Sequence, residues 1–385
     1  MSAKGWHKTE MQVKKVGFLL KCSRFVHHNF VLAISVCAAV FTMFFVPPDQ
    51  KYFNYFDFRT LTCMFCVLAV VGALRNIEFF SILARQTVKH FRTARSSILA
   101  LVYITFISSM LIENDMALLT FLPLGYFILS STNKKKYLAF TFILQNMAAN
   151  LGGMVTPFGN PQNLYLFSKY NIPTARFFVI MFPPFLVSMV LITVCCFFVK
   201  EEPLSIEGEE IKLPLKRTAI YALLFLLSVS IVFRWIPYLI GLVVLTAVLY
   251  VADKKSLKMV DYPLLMTFVA FFIFSGNMAR IEFVRNLFRS ALHTNALLVS
   301  VLSCQVISNV PTAILLSQFT NQYKDILIGV NIGGAGTLIA SLASLITYRE
   351  FVLHSPENSK SYFKLFSLLN FAFLFVLYVF SSTFH

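Results

Sequence analysis

Acidic residues are scarce in this chain of 385 residues: 17 Asp and Glu stand against 33 Lys and Arg, and charged residues of all kinds make up 13%. Hydrophobic residues make up 58%, well above the roughly 45–50% that is usual for soluble globular proteins. A soluble fold cannot bury that much apolar surface. The composition therefore excludes a soluble globular protein.

Enzyme signatures are also missing. We find no nucleotide-binding motif and no constellation of His, Cys and carboxylates beside an apolar run, so we expect neither catalysis nor an organic cofactor. Most of the seven cysteines lie in or at the edge of apolar runs, which predicts no disulfide framework. The pair Cys63 and Cys66 fits a redox or zinc motif only in spacing, since no second pair lies near it.

Apolar runs dominate what is present. Several of them reach the roughly 17–25 residues that cross the hydrocarbon layer of a bilayer. The runs are 30–46, 60–74, 96–112, 116–131, 177–199, 218–233, 236–252, 262–278, 293–307 and 362–384. They predict an all-α polytopic membrane protein with about nine full spans, in contact with membrane lipid.

The basic residues predict the orientation. The formal net charge of +16 is typical of nucleic-acid binding, but Lys and Arg concentrate between apolar runs, so we expect no nucleic-acid partner. Loops on the cytoplasmic side of membranes are enriched in Lys and Arg. Most basic residues fall in alternate loops: 1–29, 75–95, 131–136, 200–217, 253–261 and 348–364. We therefore expect a plasma membrane protein, in a bacterial cell membrane, with a cytoplasmic N-terminus and an outer C-terminus.

The chain divides at its longest polar stretch. Residues 1–29 form a cytoplasmic basic arm that we expect to be retained, because no small-residue cleavage site follows the first apolar run. Residues 200–217 hold Pro, Gly and mixed charge, which predicts a cytoplasmic linker between transmembrane halves at 30–199 and 218–385. Residues 279–292 carry three arginines on the outer side, and we interpret them as an amphipathic surface helix.

The two halves contain related polar segments. Residues 150–164 align without a gap on 331–345, with Asn, Gly-Gly, Thr and the final Leu in common. Upstream, Glu113-Asn114-Asp115 aligns with Ser308-Asn309-Val310, which superimposes the two asparagines. Each half thus has a polar break followed by a glycine-rich break.

The number of apolar runs before each polar break predicts the membrane face from which that break enters the bilayer. Three apolar runs lie between the linker and the second break, but only two precede the first, so the halves are expected to enter the bilayer from opposite faces. The sequence thus predicts an inverted-topology repeat with two re-entrant hairpins and two discontinuous helices. Two full helices that cross and return at 96–131 would fit the same residues.

Broken helices at membrane depth leave backbone groups that protein, water or a ligand must satisfy. Glycines permit such turns, freed carbonyls suit a cation, and half-helix N-termini favour an anion. As ligands of a sodium coupling ion we select Asn114, Asp115, Asn150, Gly152, Gly153, Asn309, Asn331, Gly333 and Gly334. As substrate ligands we select Asn114, Asp115, Thr156, Asn160, Asn163, Ser308, Asn309, Thr312, Thr337 and Ser341.

Asp115 has two interpretations. Together with Glu113 it is one of two acidic residues within long apolar stretches, where an ionisable group is by default a functional hypothesis. It is either a cation ligand or proton carrier, or it caps a helix that begins at Met116.

The pattern Asn-Leu-Gly-Gly-x-x-Thr-Pro-x-Gly-Asn-Pro-x-Asn-Leu at 150–164, with Glu-Asn-Asp before it and Ser-Asn-Val-Pro-Thr at 308–312, resembles the ion transporter superfamily. That superfamily includes arsenite permeases, NhaD-type sodium/proton antiporters, citrate transporters and divalent anion/sodium symporters. The resemblance covers about residues 30–384.

This resemblance implies a function and a site. In the dicarboxylate branch both hairpin tips bind carboxylate and sodium, and Asn114, Ser308, Asn309 and Thr312 match those positions; the acidic first tip is closer to the arsenite permeases. Elevator-like alternating access and a homodimer are further implications. We expect a secondary transporter for a small anion or oxyanion, driven by a sodium or proton gradient. The alternative is a sodium/proton antiporter that uses Asp115.

Overall fold

The computed structural model describes residues 29–204 and 213–383, and helices account for nearly all of their regular structure. Within these ranges the only extended pairing is an isolated bridge between Thr93 and Pro203. In chain order the helices are α1 (Phe30–Met43), α2 (Phe58–Asn76), α3 (Phe79–Val88), α4 (Ala94–Ser109), α5 (Asn114–Ser131), α6 (Leu138–Gly152), α7 (Pro161–Lys169), α8 (Thr174–Phe197), α9 (Leu215–Val232), α10 (Tyr238–Ala252), α11 (Lys254–Lys258), α12 (Tyr262–Arg280), α13 (Glu282–Ile307), α14 (Asn309–Leu316), α15 (Tyr323–Ile332), α16 (Leu342–His354) and α17 (Ser359–Thr383).

Many helices are long and apolar enough to cross a bilayer. In the described ranges seven segments meet that criterion: Phe58–Asn76, Lys135–Val155, Thr174–Phe197, Leu215–Val232, Tyr262–Arg280, Glu282–Ile307 and Pro356–Thr383. Three shorter apolar helices, α1, α4 and α10, accompany them. The chain is an all-α polytopic membrane protein, as the composition predicts. The basic arm at 1–28 and linker residues 205–212 lie outside the described residues.

One compact unit consists of described residues 29–56 and 261–281. Its helices α1 and α12 pack along each other, and the buried Asn277 amide joins them: it donates to Thr42 Oγ1 at 3.1 Å and accepts from the Tyr55 hydroxyl at 3.1 Å. Arg280 pairs with the Asp49 carboxylate at 2.7 Å. A buried amide that is satisfied on both sides stabilises the packing of this unit.

The second unit consists of described residues 57–204, 213–260 and 282–383, and it holds every interruption that the sequence predicts. One break separates α4 from α5 at 110–113, and another separates α13 from α14 at Ser308. The glycine-rich breaks separate α6 from α7 and α15 from α16. Four helices therefore begin directly after a break.

In this unit the helices that flank each polar break pack against one another. Helices α4 and α5 pack against α6, and α16 covers α5 and α6. Helices α13 and α14 pack against α15, and α7 contacts α14 and α15. Each half-helix that follows a glycine-rich break thus contacts the helix that begins after the polar break of the other half of the chain.

Candidate functional site

The first polar break places an asparagine at the start of α5. Asn114 is 4% exposed and is the first helical residue, after Glu113 at the N-cap position. Its Oδ1 accepts from the backbone N–H of Asp115 at 3.0 Å, and its Nδ2 donates to Asn150 Oδ1 at 3.0 Å. The Asn114 side chain therefore ties the end of this break to the first glycine-rich break.

The second polar break repeats this local geometry. Asn309 is 4% exposed and is the first residue of α14, and its Oδ1 accepts from the Val310 N–H at 2.9 Å. Ser308 before it adopts a φ of 73°, a value that is uncommon for a residue with a side chain. The Asn309 N–H donates to the carbonyl of Ala340 at 3.0 Å, which holds the strained turn against the second glycine-rich break.

Asn150, at the end of α6, connects the two halves of the chain. Its Nδ2 donates to Ser341 Oγ at 3.1 Å and to Asn146 Oδ1 at 3.3 Å. Ser341 also caps α16, since its Oγ accepts from the Ser344 N–H at 3.2 Å. Asn146 Nδ2 donates to Ser344 Oγ at 3.2 Å. These buried amides and hydroxyls form one network.

Asn331, at the end of α15 in the second half, makes the corresponding connection to the first half. Its Oδ1 accepts from Asn160 Nδ2 at 3.1 Å, and its Nδ2 donates to Asn163 Oδ1 at 2.6 Å. The Asn163 Nδ2 reaches the carbonyls of Met154 and Thr156 at 3.0 and 3.1 Å. Asn163 thus holds the loop after the first glycine pair in shape.

The aligned residues of the two halves make equivalent contacts. Asn150 bonds to Ser341, and Asn331 bonds to Asn160, which are the same two positions exchanged between the halves. A second equivalent contact lies within each half: Thr156 Oγ1 donates to the carbonyl of Met110 at 2.7 Å, and Thr337 Oγ1 donates to that of Gln305 at 3.1 Å.

The glycine pairs let helices approach closely. A β-carbon on Gly152 would lie 2.6 Å from Ser109 Oγ, and one on Gly333 would lie 3.0 Å from the Cys304 sulfur, again at aligned positions. A β-carbon on Gly334 would lie 3.2 Å from Asn309 Nδ2 and 3.8 Å from Asn150 Oδ1. Asn309 and Asn150 therefore converge beside Gly334, and Asn114 lies near them because it is hydrogen-bonded to Asn150.

Four helix N-termini belong to this network, which we call the central amide cluster: Asn114, Asn146, Asn150, Asn160, Asn163, Asn309, Asn331, Ser341 and Ser344. Asn114 and Asn309 are the first residues of α5 and α14, while Asn160 and Ser341 are the N-cap residues of α7 and α16. Helix N-termini carry a partial positive charge and unsatisfied N–H groups, which favour an anion. The named side chains are neutral donors and acceptors.

Other predicted residues take different places. Thr312 Oγ1 donates to the Ser308 carbonyl at 2.7 Å within its own helix, and Thr156 and Thr337 bond to backbone across the breaks. The capping interpretation of Asp115 is wrong in position, because α5 begins at Asn114 and Asp115 lies in its first turn. An acidic residue there is favourable for the helix dipole.

Asn146, Ser344, Gln162 and Gln305 belong to the network or border it, but the predicted set omits them. Asn146 precedes Asn150 by one helical turn in an apolar run, and that spacing places both on one helix face. Gln305 Nε2 donates to the carbonyls of Gly333 and Ala335 at 2.9 and 3.2 Å. A polar residue within an apolar run was the available signal in both cases.

The described residues hold no group of three or more His, Cys, Asp and Glu that is suited to a metal ion. The class of protein that this fold and cluster define is a polytopic membrane protein with broken helices around a buried polar centre. Comparison with known proteins agrees with it. The family model described as citrate transporter (CitMHS) matches residues 19–322.

Individual relatives are also transport or membrane proteins. An uncharacterized transporter of Methanocaldococcus jannaschii is 31% identical over 322 residues, 83% of this chain and 88% of that protein. An inner membrane protein of Escherichia coli is 27% identical over 80% of this chain and 83% of its own length. A silicon efflux transporter of Oryza sativa subsp. japonica is 26% identical over 43% of this chain and 34% of its own length.

The chain belongs to the citrate transporter (CitMHS) family, and the ion transporter superfamily predicted from its motifs is confirmed.

Proposed function

We propose that this protein is a secondary active transporter that moves a small anion or oxyanion across the membrane by alternating access. The observation that carries the proposal is the convergence of four helix N-termini on neutral amides and hydroxyls in the central amide cluster. Such a centre attracts an anion through partial charges and N–H groups. No full positive charge is needed to bind it.

The substrate class follows from the cluster and from the relatives. The family model is named for citrate, which is a carboxylate. One relative is named for silicon, whose dissolved form is an oxyacid. Both chemistries present several oxygens to the amide N–H and hydroxyl donors found here. We therefore propose a carboxylate-like or oxyanion substrate, with arsenite-like oxyacids and inorganic anions included.

A sodium or proton gradient supplies the driving force in this proposal. The amide oxygens Asn160 Oδ1 and Gln162 Oε1 are buried beside Asn331 and have no hydrogen-bond partner among the described residues. Buried acceptors without a donor are costly. A sodium ion bound to these oxygens, to freed carbonyls near the glycine pairs and to the asparagines selected from the sequence would remove that cost.

The equivalent contacts of aligned residues support an inverted repeat. The Asn150–Ser341 contact corresponds to Asn331–Asn160, and the Thr156–Met110 contact corresponds to Thr337–Gln305. A two-fold relation between the halves would produce this correspondence. The proposal includes two hairpins that re-enter the membrane and a homodimer. It also includes a bacterial cell membrane location with a cytoplasmic N-terminus and an outer C-terminus, which the basic loops support.

Transport in proteoliposomes tests the function. Uptake or efflux of citrate, sulfate and arsenite is measured under an imposed sodium or proton gradient, and we expect at least one anion to move with the gradient. Asn114→Ala and Asn309→Ala should each lower the rate about tenfold or more, since each removes a donor from the cluster, worth about 1.4 kcal/mol or more. Asn321→Ala, at an exposed position, is the matched control.

Unchanged transport in Asn114→Ala and Asn309→Ala, with both variants folded, would rule out the cluster as the site. Absence of any gradient-driven anion flux would leave the second candidate, a sodium/proton antiporter that uses Asp115. The position of Asp115 in the first turn of α5, next to Asn114, favours that candidate. A pH change inside vesicles on addition of sodium, lost in Asp115→Asn, would establish it.

A further inference from the structure

A cavity with charged residues in its wall lies beside the middle of α5, and none of the residues selected from the sequence lines it. Its volume is about 350 Å³. The end of α2 and helix α3 contribute Arg75, Glu78 and Arg85 to its wall, and α5 contributes Thr120 and Phe127. Two guanidinium groups face one carboxylate, so the cavity carries a net positive charge.

The two guanidinium groups are available to a ligand. Among the described residues no carboxylate lies within ion-pair distance of Arg75 or Arg85, and both side chains are exposed to the cavity. Other basic side chains of this unit, Lys134 and Arg95, are paired with glutamates. Guanidinium groups bind carboxylates and oxyanions through two parallel N–H donors.

Arg75 also contacts the first turn of α5. Arg75 Nη1 lies 3.6 Å from the Met116 sulfur. Met116 follows Asp115 and lies two residues from Asn114, whose amide belongs to the cluster. Arg75 therefore contacts the helical turn that also carries Asn114.

We propose that Arg75 and Arg85 form an anion-binding site in this cavity, separate from the central amide cluster, which takes a small carboxylate or oxyanion. The inference rests on the proposed function for the identity of the anion alone. The positive charge of the cavity and its affinity for anions are properties that can be measured without transport.

Thiol labelling at Ser81, which also lines the cavity, tests this charge. In Ser81→Cys, the reaction rate of an anionic methanethiosulfonate is compared with that of a cationic one, and the protein without this substitution gives the background from native cysteines. One unit charge at about 6 Å in water changes a rate about threefold. We expect the anionic reagent to react about three- to tenfold faster, and less so at high ionic strength.

Charge-removing variants locate the effect. Arg75→Gln with Arg85→Gln should bring the two rates together, while Arg349→Gln, which removes an exposed arginine elsewhere in the same unit, should leave their ratio unchanged. A ratio near one in the Ser81→Cys protein, or a ratio that the double variant leaves intact, would overturn the proposal. If Ser81→Cys fails to fold, Leu119→Cys lines the same cavity and takes its place.

The final measurement separates a dissolved anion from a lipid phosphate. In nanodiscs of phosphatidylcholine alone, millimolar sodium sulfate should slow labelling by the anionic reagent at least twofold, and sodium chloride of equal ionic strength should not. Protection by phosphatidylglycerol with none by sulfate would show a lipid headgroup site and overturn the proposal. Unchanged transport in Asn114→Ala and Asn309→Ala with the labelling preference intact would count against the amide cluster, and this cavity would stand.

Discussion

Asn150 uses its whole amide group. Its Oδ1 accepts from Asn114, its Nδ2 donates to Asn146 and Ser341, and its backbone carbonyl accepts from Asn160 Nδ2 at 3.1 Å. A buried amide with every donor and acceptor satisfied fixes its neighbours in one arrangement, whereas a partly satisfied one is costly. The polar centre is therefore preorganised at the level of single side chains.

Gly153 provides a residue-scale prediction. A β-carbon there would lie 2.3 Å from Asn160 Oδ1 and 2.9 Å from the Gly159 carbonyl. Asn160 has little freedom to move because its Nδ2 is bonded to Asn150 and Asn331. Gly153→Ala should therefore destabilise the protein by about 1–3 kcal/mol, the usual cost of overpacking, and lower the melting temperature in detergent.

Gly72→Ala is the matched control for Gly153→Ala. A β-carbon at Gly72, inside α2, would lie 3.4 Å from its nearest neighbours, Met259 Cβ and the Ser256 carbonyl, and alanine favours the helix. Its melting temperature should stay near that of the unchanged protein. Equal melting temperatures for both variants would contradict the close packing at the first glycine pair.

At the scale of elements, residues 199–204 clamp the two ends of the α4–α5 pair. The Ala94 N–H donates to the Glu202 carbonyl and the Leu204 N–H to that of Arg92, both at 2.8 Å. The Glu202 carboxylate accepts from Lys134 Nζ at 2.6 Å, from Lys136 and from the Tyr137 hydroxyl. The start of α4 and the segment after α5 are thus held by one residue, through its backbone carbonyl and its carboxylate respectively.

This clamp predicts a pH dependence. The hydrogen bonds from Lys134, Lys136 and Tyr137 lower the pKa of Glu202 from 4.5 to about 2. A lowered pKa means that the carboxylate stabilises the folded state fully above about pH 4.5 and progressively less as the pH falls towards 2. Glu202→Gln should lower the melting temperature at pH 7 and flatten its fall between pH 5 and 3.

Glu201→Gln is the control for the clamp. The Glu201 side chain is 64% exposed and makes one ion pair, with Arg95 at 2.9 Å. Exposed pairs contribute about 0–1 kcal/mol, so this variant should keep the pH profile of the unchanged protein. If the melting temperature of Glu202→Gln falls with pH in parallel with that of the unchanged protein, Glu202 is not the cause of the loss of stability at low pH.

At the scale of the whole chain, contacts between distant halves hold the centre together. Asn150 and Ser341 are far apart in sequence, as are Asn160 and Asn331, and each pair is joined by a hydrogen bond of 3.1 Å. Removal of one partner leaves a buried group unsatisfied, while removal of both does not repeat that cost.

Double-mutant cycles test this coupling. Asn150→Ala with Ser341→Ala, and Asn331→Ala with Asn160→Ala, should each destabilise the protein by less than the sum of the single variants, with interaction energies of about 0.5–3 kcal/mol. The measurement is chemical denaturation in mixed micelles. Asn150→Ala combined with Asn370→Ala should be additive, since the Asn370 amide bonds within its own helix. Additive effects in both test cycles would contradict the network.

By itself the sequence determined the membrane class, most of the helices and the four helix breaks. These depend on local properties: apolar runs long enough to cross hydrocarbon, and Gly, Asn and Ser where a helix must stop. It also selected most of the asparagines of the central amide cluster, because a polar side chain in an apolar run needs a partner.

Only the tertiary structure decided which partner each amide has. The cost of an unsatisfied buried amide shows that a partner exists but not where it lies, so the pairing of Asn150 with Ser341 and the roles of Asn146 and Ser344 depended on the packing of α6 against α16. The same holds for the Glu202 clamp and the Arg75 cavity. Side chains from distant segments meet there because helices pack, and neither hydropathy nor helical period encodes which helices will be neighbours.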